Sequence, residues 1–96
     1  MVYVVDIFGK GNVTYVDLDD ARRYAMTKVS DGIRGYIYAG DINGRLVGFV
    51  AYDGPYRWWH SRNKTWLLND DGSLGMSNEE FHKKKKKDTG MHPFGL

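Results

Sequence analysis

The pattern of apolar and polar positions predicts short strands at the start of the chain. The segment VYVVDIF at residues 2–8 is apolar and rich in β-branched side chains, which predicts a strand buried on both faces. The glycine-rich GKGN at residues 9–12 predicts a turn, and VTYV at 13–16 predicts a short returning strand. The chain therefore opens with a predicted β-hairpin.

The strongest helix signal follows at residues 17–32. Asp17 is placed to cap the first backbone N–H groups, and Asp19 and Asp20 suit the positive end of the helix dipole. Gly32 is placed to end the helix in the left-handed conformation. The apolar stripe expected to face a sheet consists of Leu18, Ala21, Ala25 and Val29.

The segment at residues 33–54 predicts a β-hairpin. Asn43-Gly44 is typical of a type I′ turn, and this turn would place Tyr38 opposite Phe49. One face of the hairpin would carry Ile37, Leu46 and Val50, and the other Tyr36, Tyr38, Val47 and Phe49. Both faces are apolar, which predicts that each is covered or that one is a binding face.

Two further strands and a helix complete the predicted fold. YRWWH and KTWLL predict strands joined by SRN, NDDGS predicts a loop, and Ser77 and Glu80 have the spacing of a capping box. The order β-β-α-β-β-β-β-α predicts the α+β class, with a curled antiparallel sheet of four to six strands and two helices. This single domain would span residues 1–88, with an irregular tail over 89–96.

Composition narrows the class of protein further. With 96 residues, 42% hydrophobic and 27% charged, the chain predicts one globular domain. The absence of cysteine excludes disulfides and thiolate chemistry and favours a cytoplasmic location. The N-terminal residues do not resemble a signal peptide, and no apolar stretch reaches membrane-spanning length.

Charge is unevenly distributed between the two halves of the chain. Residues 1–54 carry six cations and seven aspartates, whereas 55–96 carry eight cations and five acidic residues, within a net charge of +2. An anionic partner would therefore meet the C-terminal half. The run of Lys83, Lys84, Lys85, Lys86 and Lys87 is a candidate polyanion-binding segment, and its alternative is a solvated helix end.

The segment RWWHSRNKTW at residues 57–66 is the main candidate for binding. It holds all three tryptophans among several cations, a combination suited to stacking bases and contacting phosphates. The alternative is that the rings fill the core. Neighbouring strand residues face opposite ways, so Trp58 and Trp59 cannot both point inward, and we predict Trp59 to be the exposed, functional ring. The candidate binding residues of this segment are Arg57, Trp59, His60, Arg62 and Lys64.

No catalytic site, metal or cofactor is predicted. His60, His82 and His92 share no metal-binding motif, and the paired carboxylates lie where helix capping or turns require them. We expect a non-catalytic binding protein, namely a protein-interaction or inhibitor module of the accessory type carried by phages and mobile elements. Its anchor would be the tryptophan segment or the face with Tyr36, Tyr38 and Phe49.

Two other functions compete with this interpretation. The first is nucleic-acid binding through the tryptophan segment and the lysine run, and the second is an enzyme with a histidine–carboxylate site. The two-sided apolar hairpin, with Met91, Phe94 and Leu96 in the tail, also predicts a homodimer.

Overall fold

The computed structural model describes residues 2–41 and 43–83. The strands are β1 (Tyr3–Ile7), β2 (Gly11–Tyr15), β3 (Gly35–Ala39), β4 (Arg45–Asp53), β5 (Tyr56–Ser61), β6 (Thr65–Leu68) and β7 (Leu74–Ser77). The helices are α1 (Leu18–Lys28), between β2 and β3, and α2 (78–83), directly after β7. The strands form one open antiparallel sheet in the order β2-β1-β3-β4-β5-β6-β7. The predicted α+β class is confirmed.

The sheet has seven strands where the sequence predicted four to six. The additional strand is β7, which pairs with β6 through Trp66↔Ser77 and Leu68↔Leu74 with an irregular register between them. It has only four residues, LGMS, and glycine weakens a strand signal. The loop before it was predicted, and it closes with a hydrogen bond from the Asn69 N–H to the Ser73 carbonyl at 3.0 Å.

Helix α1 begins as predicted and ends earlier. The Asp17 carboxylate accepts a hydrogen bond from the Asp19 N–H at 2.8 Å, which satisfies one of the free donors of the first turn. The helix ends at Lys28, so the predicted end at Gly32 is wrong. Gly32 does have a positive φ of 80°, but it lies in a separate turn closed by the bridge between Ser30 and Ile33.

The core lies between α1 and one face of the sheet. Val5, Ile7, Ile37 and Val50 are its largest fully buried side chains. A Cβ added at Gly35 would lie 3.0 Å from the Ala25 Cβ, so a glycine and an alanine permit close approach of helix and strand. The predicted stripe is correct, because Ala21, Ala25 and Val29 are buried and Leu18 packs against the same cluster.

Arg22 connects α1 to the loop between β6 and β7. Its Nε donates a 2.8 Å hydrogen bond to the Gly72 carbonyl in the β6–β7 loop, and its guanidinium pairs with Asp19. The same guanidinium lies 5.1 Å from the centre of the Trp59 ring. A buried cation is costly unless it is paired and hydrogen-bonded, and Arg22 meets both conditions. The side chain therefore holds the loop against the helix.

The β3–β4 hairpin has a different register from the predicted one. Tyr36, not Tyr38, lies opposite Phe49, and a bulge follows that places Tyr38 opposite Leu46. A type I′ turn requires positive φ at both central residues, but in the described residues every positive φ belongs to a glycine. The turn instead uses the Asp41 carbonyl, which accepts from the Gly44 N–H at 2.9 Å.

The bulge exchanges the faces of two neighbouring side chains. Leu46, predicted beside Ile37, instead shares the face of Tyr38 and is 48% exposed. Val47, predicted beside the tyrosines, packs against the core.

Helix α2 begins with the predicted capping box. The Ser77 Oγ accepts from the Glu80 N–H at 3.3 Å, and the Glu80 carboxylate accepts from the Ser77 N–H, also at 3.3 Å. Phe81 packs edge-on against Trp58 and Tyr56, with ring centres 5.2 and 5.3 Å apart. α2 therefore covers part of β5 on the sheet face that is opposite α1. The predicted tail residues Met91, Phe94 and Leu96 lie outside the described residues.

Candidate binding face

The sheet surface opposite α1 carries a group of aromatic and apolar side chains, which we call the open face. Pairing brings these residues together, because Tyr36 lies opposite Phe49 and Phe49 lies opposite His60. Of the secondary-structure elements that the structure describes, only α2 packs on this side, and it does so over Trp58. The open face consists of Tyr36, Tyr38, Leu46, Phe49 and His60.

The rings of the open face form a contiguous row. Phe49 stacks on His60 with ring centres 4.6 Å apart and an interplanar angle of 11°, and Tyr36 lies 5.5 Å from Phe49 at 44°. The Arg34 guanidinium carbon lies 4.9 Å from the centre of the Phe49 ring, which suits a cation–π contact. Each ring of the row is therefore in contact with at least one other ring.

His60 is the titratable group at the end of this row. Partial burial, reinforced by the positive charge of Arg34, lowers the pKa of the imidazole below its ordinary value. This shift favours the neutral form of the ring. Its Nδ1 lies 3.3 Å from the Thr65 Oγ1, so each of the two tautomers can form a hydrogen bond with this hydroxyl.

A groove of about 660 Å³ adjoins the row where β4 begins and β5 ends. Leu46, Phe49 and His60 supply apolar and aromatic walls, and Arg45 and Arg62 add two cations. A smaller groove of about 370 Å³ lies between α2 and the sheet, and His60 also lines this one. The larger groove therefore combines apolar and aromatic walls with positive charge.

The structure brings together most of the candidates predicted for the tyrosine face. Tyr36, Tyr38 and Phe49 share the open face as expected, and His60 joins them through its pairing with Phe49. Arg62 is exposed and lines the larger groove.

The structure does not place the remaining candidate cations on this face. Arg57 donates from Nε to the Met26 carbonyl at 3.0 Å, and its guanidinium lies 4.7 Å from the Tyr52 ring, on the α1 side. The Lys64 ammonium lies 4.8 Å from the Trp66 ring. Lys83 is exposed at the end of the described chain, and Lys84, Lys85, Lys86 and Lys87 lie outside the described residues.

The prediction that Trp59 is an exposed ring is wrong. Trp58 and Trp59 do face opposite sides of β5, but Trp59 belongs to the core under α1 and is 3% exposed. Trp58 is also buried, at 7%, because α2 covers it with Phe81. Neither indole offers a free surface for a partner.

Two residues of the groove were not singled out by the sequence. Leu46 was predicted on the core face because the bulge next to it has no sequence signature, and Arg45 was not among the candidate binding residues. Arg34 was also missed, although its position two residues before Tyr36 places it near the same face. Strand alternation could have identified Arg34, but Leu46 requires the actual register.

The described part of the chain holds no cluster of three or more histidine, aspartate or glutamate side chains that could bind a metal ion. Within the same residues, no helix is both long and apolar enough to cross a membrane.

The chain is a small α+β protein with an open antiparallel sheet, and one side of this sheet carries aromatic side chains. Comparison with protein-family models, with curated proteins and with solved structures found no match. Arguments about function therefore depend on the geometry of the open face and its grooves.

Proposed function

We propose that this chain is a non-catalytic protein-interaction module that binds a partner protein on the open face, and that it works in the cytoplasm. The observation that carries the proposal is the stacked row of Tyr36, Phe49 and His60 beside a groove with an arginine rim. Stiff aromatic side chains lose little conformational entropy on binding, and aromatic and arginine residues supply much of the energy at protein interfaces.

The way in which the rings are packed favours a protein over a nucleic acid. A base stacks on a free ring face, but Phe49 already stacks on His60 and carries the Arg34 guanidinium over its ring. The cations of the tryptophan segment are similarly engaged, since Arg57 lies over Tyr52 and Lys64 over Trp66. The central ring of the row, Phe49, therefore has little free ring face for a base.

Charge around the open face indicates the chemistry of the partner. Arg45 and Arg62 line the larger groove, and Arg34 lies at the other side of the row. Arginine binds carboxylates well, often in a bidentate geometry. Asp6, opposite Tyr36 in the β1–β3 pairing, adds one negative charge on the same side. We therefore expect a partner segment in which an apolar residue lies next to aspartate or glutamate.

Site-specific photocrosslinking tests this proposal. A photoreactive phenylalanine analogue at Leu46, exposed beside the groove, should crosslink a defined protein in cells that express the chain. The same analogue at Arg23, exposed on α1, is the matched control and should not capture that protein. Binding of the purified partner should then be lost in Leu46→Asp and weakened in Arg62→Glu, with unchanged circular dichroism.

Nucleic acid is the competing outcome. A labelled single-stranded oligonucleotide should show no change in anisotropy with the wild type at physiological salt. If it binds, and Tyr38→Ala weakens that binding while no protein crosslinks at Leu46, the open face is a nucleic-acid surface and the proposal is wrong.

A further inference from the structure

Strand β2 forms one edge of the sheet that the described residues build, and it lacks the usual protection of an edge. Its sequence, GNVTY, has neither a charge nor a proline, and its pairing with β1 is regular over five residue pairs. Exposed edges of this kind invite pairing with another strand. The opposite edge, β7, differs because its register is irregular and α2 follows it directly.

The two most exposed large apolar side chains of the described residues lie at the two ends of β2. Phe8, in the β1–β2 turn, is 87% exposed, and Val16, directly after the strand, is 78% exposed. The turn itself is held by a 2.9 Å hydrogen bond from the Lys10 N–H to the Ile7 carbonyl. The unprotected edge strand therefore has an exposed apolar side chain near each of its ends.

We propose that β2 pairs antiparallel with β2 of a second copy of this chain, centred on Val13. Antiparallel pairing places the turn end of one β2 beside the exit end of the other, so that Phe8 of each copy approaches Val16 of the second copy. This register places Lys10 opposite Val16 and Gly9 opposite Asp17, so Lys10 and Asp17 of the two copies lie about one residue out of register at both ends. A parallel arrangement would place Lys10 beside Lys10.

The self-complementary ends of β2 identify the second copy as the occupant of this edge. Any extended peptide could satisfy the backbone groups of the edge strand. To match both ends, it must also carry an apolar and an acidic residue near Phe8 and Lys10, and an aromatic and a basic residue near Val16 and Asp17. A second β2 supplies this arrangement by symmetry, and such a two-fold interface is the commonest kind in soluble oligomers.

Pairing at β2 would continue the sheet from one copy to the other. The two-fold axis of an antiparallel pair within one sheet is perpendicular to the sheet, so both open faces would lie on the same side. The dimer would then present two open faces to one partner or to two neighbouring partners. The pairing itself does not depend on the proposed function.

Sedimentation equilibrium tests the dimer and its location. The wild type should reach twice the chain mass of 11.0 kDa as its concentration rises through the micromolar range. The double variant Phe8→Asp/Val16→Asp should stay monomeric with unchanged circular dichroism. Leu46→Asp is the matched control, an exposed apolar residue on the open face, and should dimerise as the wild type does. A monomeric wild type, or a dimer lost only in Leu46→Asp, would overturn the proposal.

A single cysteine placed in β2 gives a second test of the dimer and leaves the charge of the strand unchanged. The chain has no cysteine, so Val13→Cys carries the only thiol. Residues opposite each other at the centre of an antiparallel pair have Cα atoms about 4.5–5.5 Å apart, within disulfide range. Mild oxidation should therefore convert Val13→Cys into a covalent dimer and leave Leu46→Cys without a covalent crosslink. Equal crosslinking of the two variants would contradict the proposed register.

Discussion

The indole of Trp59 lies directly against the backbone of Gly48, on the neighbouring strand. A Cβ added at Gly48 would come within 2.6 Å of Cζ2 and 2.8 Å of Cη2 of that ring. It would also approach the His60 carbonyl to 2.5 Å. Glycine is therefore the residue that lets Trp59 lie flat under α1, and the ring in turn contacts the buried guanidinium of Arg22.

Gly48→Ala should destabilise the fold. The added methyl group must displace the Trp59 ring or the β5 backbone, and overpacking of this kind costs about 1–3 kcal/mol. Urea unfolding followed by far-UV circular dichroism measures the change. A double-mutant cycle with Trp59→Phe provides the control, because a smaller ring should recover part of the loss. Additive effects of the two substitutions would contradict the contact described here.

Trp59→Ala should cost more stability than Trp58→Ala. Trp59 is packed between the sheet and α1, and truncating a buried aromatic ring costs about 3–5 kcal/mol. Trp58 is covered by the short α2, which can adjust when the ring is removed. Thermal melting of both variants measures the order, with Leu46→Ala as an exposed reference. A lower melting temperature for Trp58→Ala than for Trp59→Ala would reverse the assignment of the two faces.

The two tryptophans also show how far the sequence could lead. Strand alternation correctly predicted that they face opposite sides. It could not identify the core side, because both faces of β5 carry a tryptophan and each face is covered by a different helix. The choice depends on where α1 packs, and that in turn depends on long-range contacts such as that of Ala25 with Gly35.

Local signals were more informative than those that depend on register. The caps at Asp17 and Ser77 were correctly predicted, because a cap involves residues two or three positions apart. The face of Leu46 was not, because it depends on a bulge and on the turn that Asp41 closes. Tyr36, Tyr38 and Phe49 were still correctly grouped, since the bulge moves Leu46 and Val47 between the faces and leaves these three together.

Ser77→Ala should loosen α2 with little effect on the rest of the fold. The substitution removes the side-chain half of the capping box, which is worth about 1 kcal/mol. Loss of the helix start should release Phe81 from Trp58 and expose that indole. Iodide quenching of tryptophan fluorescence should therefore increase, as it should in Phe81→Ala. Glu79→Gln, outside the capping box, is the matched control, and equal quenching in that variant would contradict this role of Ser77.

Stability should fall as the pH is lowered through the titration range of His60. Burial and then Arg34 lower the pKa of this histidine in the folded protein below the ordinary value of 6.5 that applies to the unfolded chain. As the pH falls below 6.5, the unfolded chain takes up the proton first, so the free energy of unfolding decreases. The stabilising contribution is thus complete above 6.5 and is lost as the pH falls through the folded-state pKa.

Urea unfolding of the wild type and of His60→Gln at pH values on both sides of 6.5 isolates this contribution. The wild type should lose more stability on acidification than His60→Gln, because groups other than His60 titrate in both proteins. Arg34→Gln should reduce the difference and leave part of it, since burial is the larger cause of the lowered pKa. The contrary result would be a wild type that gains stability on acidification relative to His60→Gln. It would mean that His60 binds its proton more readily in the folded protein than in the unfolded chain.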